Sequence, residues 1–176
     1  MEIEENQLVK TFEEWGPEFH VEFDITIYQI PDPGKSKWIF KIGNGATSHY
    51  GWGDVFPAAI MNTNNGCIYI YNTLQGNSDS NHFCPQLNKT SHVAIKQIRN
   101  SADAQNIYFS INVDGENVHN AKNDAAKTYK HVMFHASPIN KGPFSPLTSE
   151  FGIIENMIVY QSMYCTIYLN NVIIPT

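Results

Sequence analysis

Residues 19–27, FHVEFDITI, alternate strictly: Phe19, Val21, Phe23, Ile25 and Ile27 fall on one face, and His20, Glu22, Asp24 and Thr26 on the other. A period of two is the pattern of a strand with one face in a core and the other in water. Shorter alternations or compact apolar runs at 38–42, 56–61, 67–71, 92–98, 107–113, 131–137, 151–160 and 164–174 read the same way, each bounded by Gly, Asn, Asp or Pro. Asp114-Gly115 supplies the positive φ angles of a tight hairpin turn, and Asn64-Asn65-Gly66 and Pro31-Asp32-Pro33-Gly34 mark two more reversals. Pro57, just inside its run, suits an edge strand or a strand start.

These strands, with no convincing amphipathic helix between them, predict an all-β protein whose antiparallel sheets pack face to face as a two-sheet β-sandwich. The stretch 120–130, NAKNDAAKTYK, is helix-like in composition and reads as a loop with one helical turn, and NSDSN at 77–81 reads as a loop. There is no internal repeat or linker, and 176 residues suit one domain over 1–176, with 1–11 as an N-terminal extension and 161–176 as a C-terminal strand completing or extending a sheet.

Composition narrows the partners. With 42% hydrophobic and 16% charged residues the chain is neither disordered nor fibrous. A net charge of -6, with the basic residues scattered singly, offers no footprint for a phosphate backbone, so nucleic acid is not expected as a partner. No run approaches the length of about 20 apolar residues that a membrane helix needs, so membrane insertion is not expected. The opening MEIEENQLVK is acidic where a leader is basic and then apolar, so no signal peptide is legible there.

Two features tilt the expected location outward, to an extracellular or secreted protein, with a cytoplasmic one as the alternative. Asn88-Lys89-Thr90 is an N-glycosylation sequon in a polar, turn-like stretch. Cys67 and Cys84 flank a 16-residue segment, and a bridge between them would add roughly 3 kcal/mol on a chain-entropy model. The other reading makes Cys67, Cys84 and Cys165 three buried thiols acting as small hydrophobes.

The order of these segments resembles the concanavalin A-like lectin/glucanase jelly roll, in its laminin-G-like or pentraxin-like animal extracellular form. Gln97, Tyr108, Phe109, Ile111, Val113, Asp114, Gly115 and Val118 match its middle strand and hairpin; Val132, Phe134, Ala136, Ser137, Pro138, Gly152, Ile154, Asn156 and Ile158 match its closing pattern. The resemblance spans about residues 12–160 and rests mostly on core and turn positions. It implies the fold, in a superfamily that hosts lectins, adhesion modules and hydrolases alike. A family segment of the form GDRxPAI is similar to residues 53–60, with Val55 in place of its basic residue.

The glycine-rich stretch 43–54, GNGATSHYGWGD, lies between two predicted strands and reads as a surface loop. Asn44, Tyr50, Trp52 and Asp54 are its candidate ligand-binding residues: aromatic rings stack on the apolar face of a pyranose while Asn and Asp bond its hydroxyls. The plainer reading has the glycines turning the chain, Asp54 capping the turn and Trp52 covering the core rim. No catalytic residues are assigned. Glu22 and Asp24 share a strand face as glucanase carboxylates do, but Ile27 stands where a third acid is needed, and hydrolysis requires its paired carboxylates. His131 and His135 on one strand lie roughly 13 Å apart, too far to share a metal ion. Calcium, held by some relatives of the resembled family, is a possible cofactor at 77–81 or 112–117.

The expected function is therefore a noncatalytic recognition module, lectin-like or adhesive, binding a glycan or an extracellular protein through surface loops. A structural or self-assembling matrix or coat protein is the alternative, with the tail YCTIYLNNVIIPT as a strand able to pair with another subunit in a homo-oligomer. A glycan hydrolase is disfavoured by the missing acid.

Overall fold

The computed structural model describes residues 7–34, 36–44, 55–74, 77–101, 103–136, 144–146, 150–161 and 165–169. In chain order their strands are β1 (Gln7–Trp15), β2 (Phe19–Ile27), β3 (Ser36–Gly43), β4 (Val55–Met61), β5 (Ile68–Leu74), β6 (Asn77–Phe83), β7 (Thr90–Asn100), β8 (Asp103–Val113), β9 (Glu116–Lys122), β10 (Tyr129–Ala136), β11 (Phe144–Pro146), β12 (Gly152–Gln161) and β13 (Cys165–Leu169). One sheet runs β1-β10-β3-β4-β5-β6, with β11 added parallel to β3; the other runs β13-β12-β2-β7-β8-β9. Apart from β11 every pairing is antiparallel. No helix among the described residues is long and apolar enough to cross a membrane.

Alternation decides which face of each strand fills the sandwich. Val21, Phe23, Ile25 and Ile27 of β2 are all 0% exposed, facing Phe40 and Ile42 of β3 and Phe134 of β10 across the core. Phe23 meets Phe40 edge-on at 5.4 Å, and Phe40 meets Phe134 edge-on at 6.2 Å, geometries that match the ring quadrupoles. Hydrogen bonds tie the sheets together at both margins. Asn81 of β6 and His119 of β9 are 2.8 Å apart, and Gln161 of β12 donates to the Glu14 carbonyl of β1 at 2.7 Å.

Inside, an amide cluster joins the two layers. Gln97 of β7 accepts from Asn72 of β5 (3.0 Å) and from Asn123 (2.8 Å), and donates to the Pro17 carbonyl (2.6 Å). All three side chains are buried, so these bonds replace water that cannot enter.

The structure revises several expectations. Residues 7–11, expected in an N-terminal extension, belong to β1, which pairs with β10 and turns Phe12 and Trp15 into the core. The segment 77–83, read as a loop at NSDSN, is edge strand β6: its ladder to β5 is made by backbone groups and needs no apolar alternation, and polar residues suit a sheet edge. Residues 120–122 close β9, and 123–126 form a turn in which the Asn123 side chain accepts the Ala125 N–H, so the stretch is not helical. Pro57 lies in central β4, where a register shift against Lys41 and Gly43 of β3 absorbs it. No revision is needed for the C-terminal segment, read as a strand completing or extending a sheet: β13 pairs on β12 of its own chain.

Turn chemistry follows the residues that demanded it. Asp114 and Gly115 have φ of 52° and 86°, as the hairpin between β8 and β9 requires. Gly66 has φ of 70°, a backbone conformation that favours glycine, and a Cβ there would stand 2.5 Å from the end of the exposed Ile30 side chain.

Candidate functional site

The outward face of the seven-stranded sheet is not uniformly polar. On β5, Ile68 and Ile70 enter the core, so Tyr69 and Tyr71 between them face out. On β4, Val55, Ala58 and Ile60 join Trp38 of β3 in a separate apolar cluster on this outer side, with Tyr71 packed against it. Tyr69 stacks on His82 of β6 at 4.8 Å and lies 6.4 Å from Tyr71, nearly parallel to both. Three rings thus form a row whose Tyr71 end packs against the buried apolar cluster, with Asn65 donating to the Tyr69 hydroxyl.

The same face continues across β3 and β10. Register sets His135 opposite Lys41, Lys41 opposite Ala58, and Ala58 opposite Tyr71, a line running straight across four strands. Lys41 and Tyr71 are two strand spacings apart, about 10 Å. Burial holds the Lys41 ammonium below its usual pKa and raises that of the Tyr71 phenol, to which Tyr69 adds. Burial also lowers His135, with the Lys41 charge acting in the same direction, so its imidazole is neutral at pH 7. An aromatic row, two phenol hydroxyls, an imidazole and one ammonium on one sheet face can stack on a sugar ring and bond its hydroxyl or carboxylate groups.

Of the candidate ligand residues, Asn44 directly follows β3 of this sheet and is half-buried. Tyr50, Trp52 and Asp54 lie outside the described residues. Lys41, Tyr69, Tyr71 and His82 were not singled out by sequence, and His135 was weighed there only as half of a metal pair with His131. The alternation Ile68, Tyr69, Ile70, Tyr71 carried the signal for the tyrosines, because a strand whose even members are core must present its odd members on one face. Nothing in the chain order pointed to the meeting of β3, β5 and β10.

Cys67 and Cys84 are bonded to each other, their Cα atoms 4.1 Å apart, at the end where β5 begins and β6 finishes. Asn88 is exposed, with φ of 60°, in the turn between β6 and β7. The six-stranded sheet presents Glu22 and Asp24 outward, but each is already engaged. Glu22 contacts His20 at 2.6 Å, while Asp24 accepts from Asn156 at 2.8 Å and meets His92 at 2.8 Å. Burial alone would raise the Asp24 pKa; the bonds from Asn156 and His92 outweigh it and hold the carboxyl below its usual value. Ile27, at the position of the third acid, is in the core. Among the described residues no group of three or more His, Cys, Asp or Glu is placed to hold a metal ion. Of the segments suggested for calcium, 112–117 has its Asp114 accepting the His92 N–H at 2.8 Å, and the side chains of 77–80 lie outside those described.

Two antiparallel sheets packed face to face in this strand order define a jelly-roll sandwich of the concanavalin A-like class. A SAP-like pentraxin from Limulus polyphemus superposes with a TM-score of 0.54 at 10% identity, covering 95% of this chain and 87% of that one. The endo-β-1,4-glucuronan lyase of the fungus Trichoderma reesei gives 0.53 at 16% identity, over 86% of this chain and 73% of that one. A Trypanosoma rangeli sialidase gives 0.51 at 14% identity, over 81% of this chain but 20% of that one. No protein-family model matches the chain, and no curated protein sequence matches it.

Proposed function

We propose that the protein is a noncatalytic glycan-recognition module that binds on the outward face of its seven-stranded sheet. The observation that carries this is the stacked row Tyr71, Tyr69 and His82, whose Tyr71 end packs against the buried cluster of Trp38, Ala58 and Ile60. Aromatic faces kept outward on a sheet leave area for the C–H face of a sugar, and Lys41 supplies a charge that favours an acidic residue such as a uronate. The paired Cys67 and Cys84 and the exposed sequon at Asn88 support an extracellular setting. Tyr71→Ala is expected to weaken binding to acidic glycans on an array at least tenfold, about the 1.4 kcal/mol carried by one stacked ring. Undiminished binding by a folded Tyr71→Ala protein overturns the reading.

A second reading rests on His135 and Lys41, which stand opposite each other on β10 and β3. A base beside a cation is a pair of group types that an eliminative cleavage of a uronan uses, and the Trichoderma reesei protein of like fold is a glucuronan lyase. Release of unsaturated uronate from polyglucuronate, followed by its absorbance, decides between binding alone and binding with chemistry.

A further inference from the structure

A different feature stands on the opposite sheet. The outward face of β7, β8 and β9 carries a depression of about 650 Å³ lined by Ile98, Arg99, Tyr108, Ser110, Asn117 and Asn120. Its centre is apolar: Ile98 and Tyr108 are cross-strand partners, and Ile98 is 48% exposed where the alternation of β7 would otherwise present a polar residue. Apart from Arg99, its rim is made of neutral hydrogen-bonding groups. Ser110 and Asn120 face each other across the β8–β9 ladder, and the Asn117 amide is held in place by bonds to the Asn112 side chain and the His119 carbonyl.

Charge decides the ligand class. Arg99 is engaged by the Glu18 carboxylate through both its backbone N–H and its Nε, each at 3.2 Å. Lys122, the cross-strand partner of Tyr108 on the other side, pairs with Asp124 at 2.7 Å. Both of these cations therefore have a carboxylate in contact, and Lys96, opposite Ser110 across the β7–β8 ladder, stands outside the lining of the depression. An aliphatic and aromatic centre ringed by amides and a hydroxyl matches a neutral pyranose, whose C–H face is apolar and whose vicinal hydroxyls both donate and accept, as amides do. The volume lies within the usual range of small-molecule sites, roughly 300–1,000 Å³.

We propose that this depression is a second saccharide site, selective for neutral glycans, on the sheet opposite the tyrosine row. Two sites on opposed faces of one sandwich let a single chain bridge two glycans, so avidity on a mixed surface exceeds that of either face alone. The proposal does not depend on the acidic-glycan reading of the other sheet.

The test is calorimetric titration of the whole chain with neutral gluco-, manno- and N-acetylglucosamine oligosaccharides. The wild type is expected to bind one of these series, and Asn120→Ala, a surface change that leaves the core intact, to weaken it about tenfold, the scale of one lost hydrogen-bonding partner in a sugar site. Tyr108→Ala, checked for folding by its thermal melt, is expected to do the same or more. Loss of that binding with Tyr71→Ala, and its retention with Asn120→Ala and Tyr108→Ala, places neutral sugars on the seven-stranded sheet and overturns the proposal. So does the absence of any neutral oligosaccharide binding by the wild type.

Discussion

Gln97 shows how much one side chain can be asked to do. It was legible in the sequence only as part of a resemblance, on a strand where a buried glutamine has no obvious purpose. In the fold its amide is the hub between β5, β7 and the turn after β9, using its oxygen for two donors and its nitrogen for the Pro17 carbonyl. Gln97→Leu keeps the volume but strands the buried Asn72 and Asn123 amides. It should cost about 2–4 kcal/mol, since each buried donor left unpaired costs roughly 1–3 kcal/mol. The check is a thermal melt, where each kcal/mol lowers Tm by roughly 2–4 °C for a domain of this size; an unchanged Tm would show that the amides find other partners. Tyr69 and Tyr71 are the opposite case, their direction set by the isoleucines beside them.

Among the elements, those with a period-two pattern were readable and those without it were not. β2 occupies the same nine residues that alternate in the sequence. β6 was not readable, because NSDSN has no apolar face and is a strand only by virtue of β5 beside it. The disulfide then ties the far end of this hairpin, one position beyond the Ile68–Phe83 pair. The turn that follows presents Asn88 to solvent, its N–H donating to the Ile27 carbonyl at 2.8 Å. An amide side chain exposed on a turn and followed two residues on by Thr90 meets the requirement for N-glycosylation. Secretion of the chain from eukaryotic cells should add the mass of one glycan, removable by a glycoamidase and absent in Asn88→Gln. Secreted protein without that mass would show that the sequon is not used.

At the scale of the whole molecule, half-buried histidines on the two sheets couple stability to pH. Burial lowers the pKa of His20, with Lys96 and His92 adding to this and the Glu22 carboxylate opposing it; burial and Lys41 lower that of His135. Below the ordinary histidine value of about 6.5, the unfolded chain binds more protons at these positions than the folded one. Stability contributed by the neutral rings is therefore full above about pH 6.5 and lost as pH falls from there toward the folded-state values. Denaturant melts across that interval should show a falling midpoint, and His20→Gln combined with His135→Gln should flatten it. An equal slope in the double variant would assign the effect to other groups.

Local pattern in the chain was enough for the all-β class, the face each main strand turns inward and the places where it reverses, because side-chain alternation and the φ demands of Gly and Asp are decided within a few residues. The candidate loop was chosen on composition, whereas the aromatic row and the amide-rimmed depression arise where strands distant in the chain become neighbours. Lys41 and His135 are separated by most of the sequence and stand opposite each other only through the pairing of β3 with β10. The faces left bare, and the chemistry they present, belong to that long-range register, which no window of sequence contains.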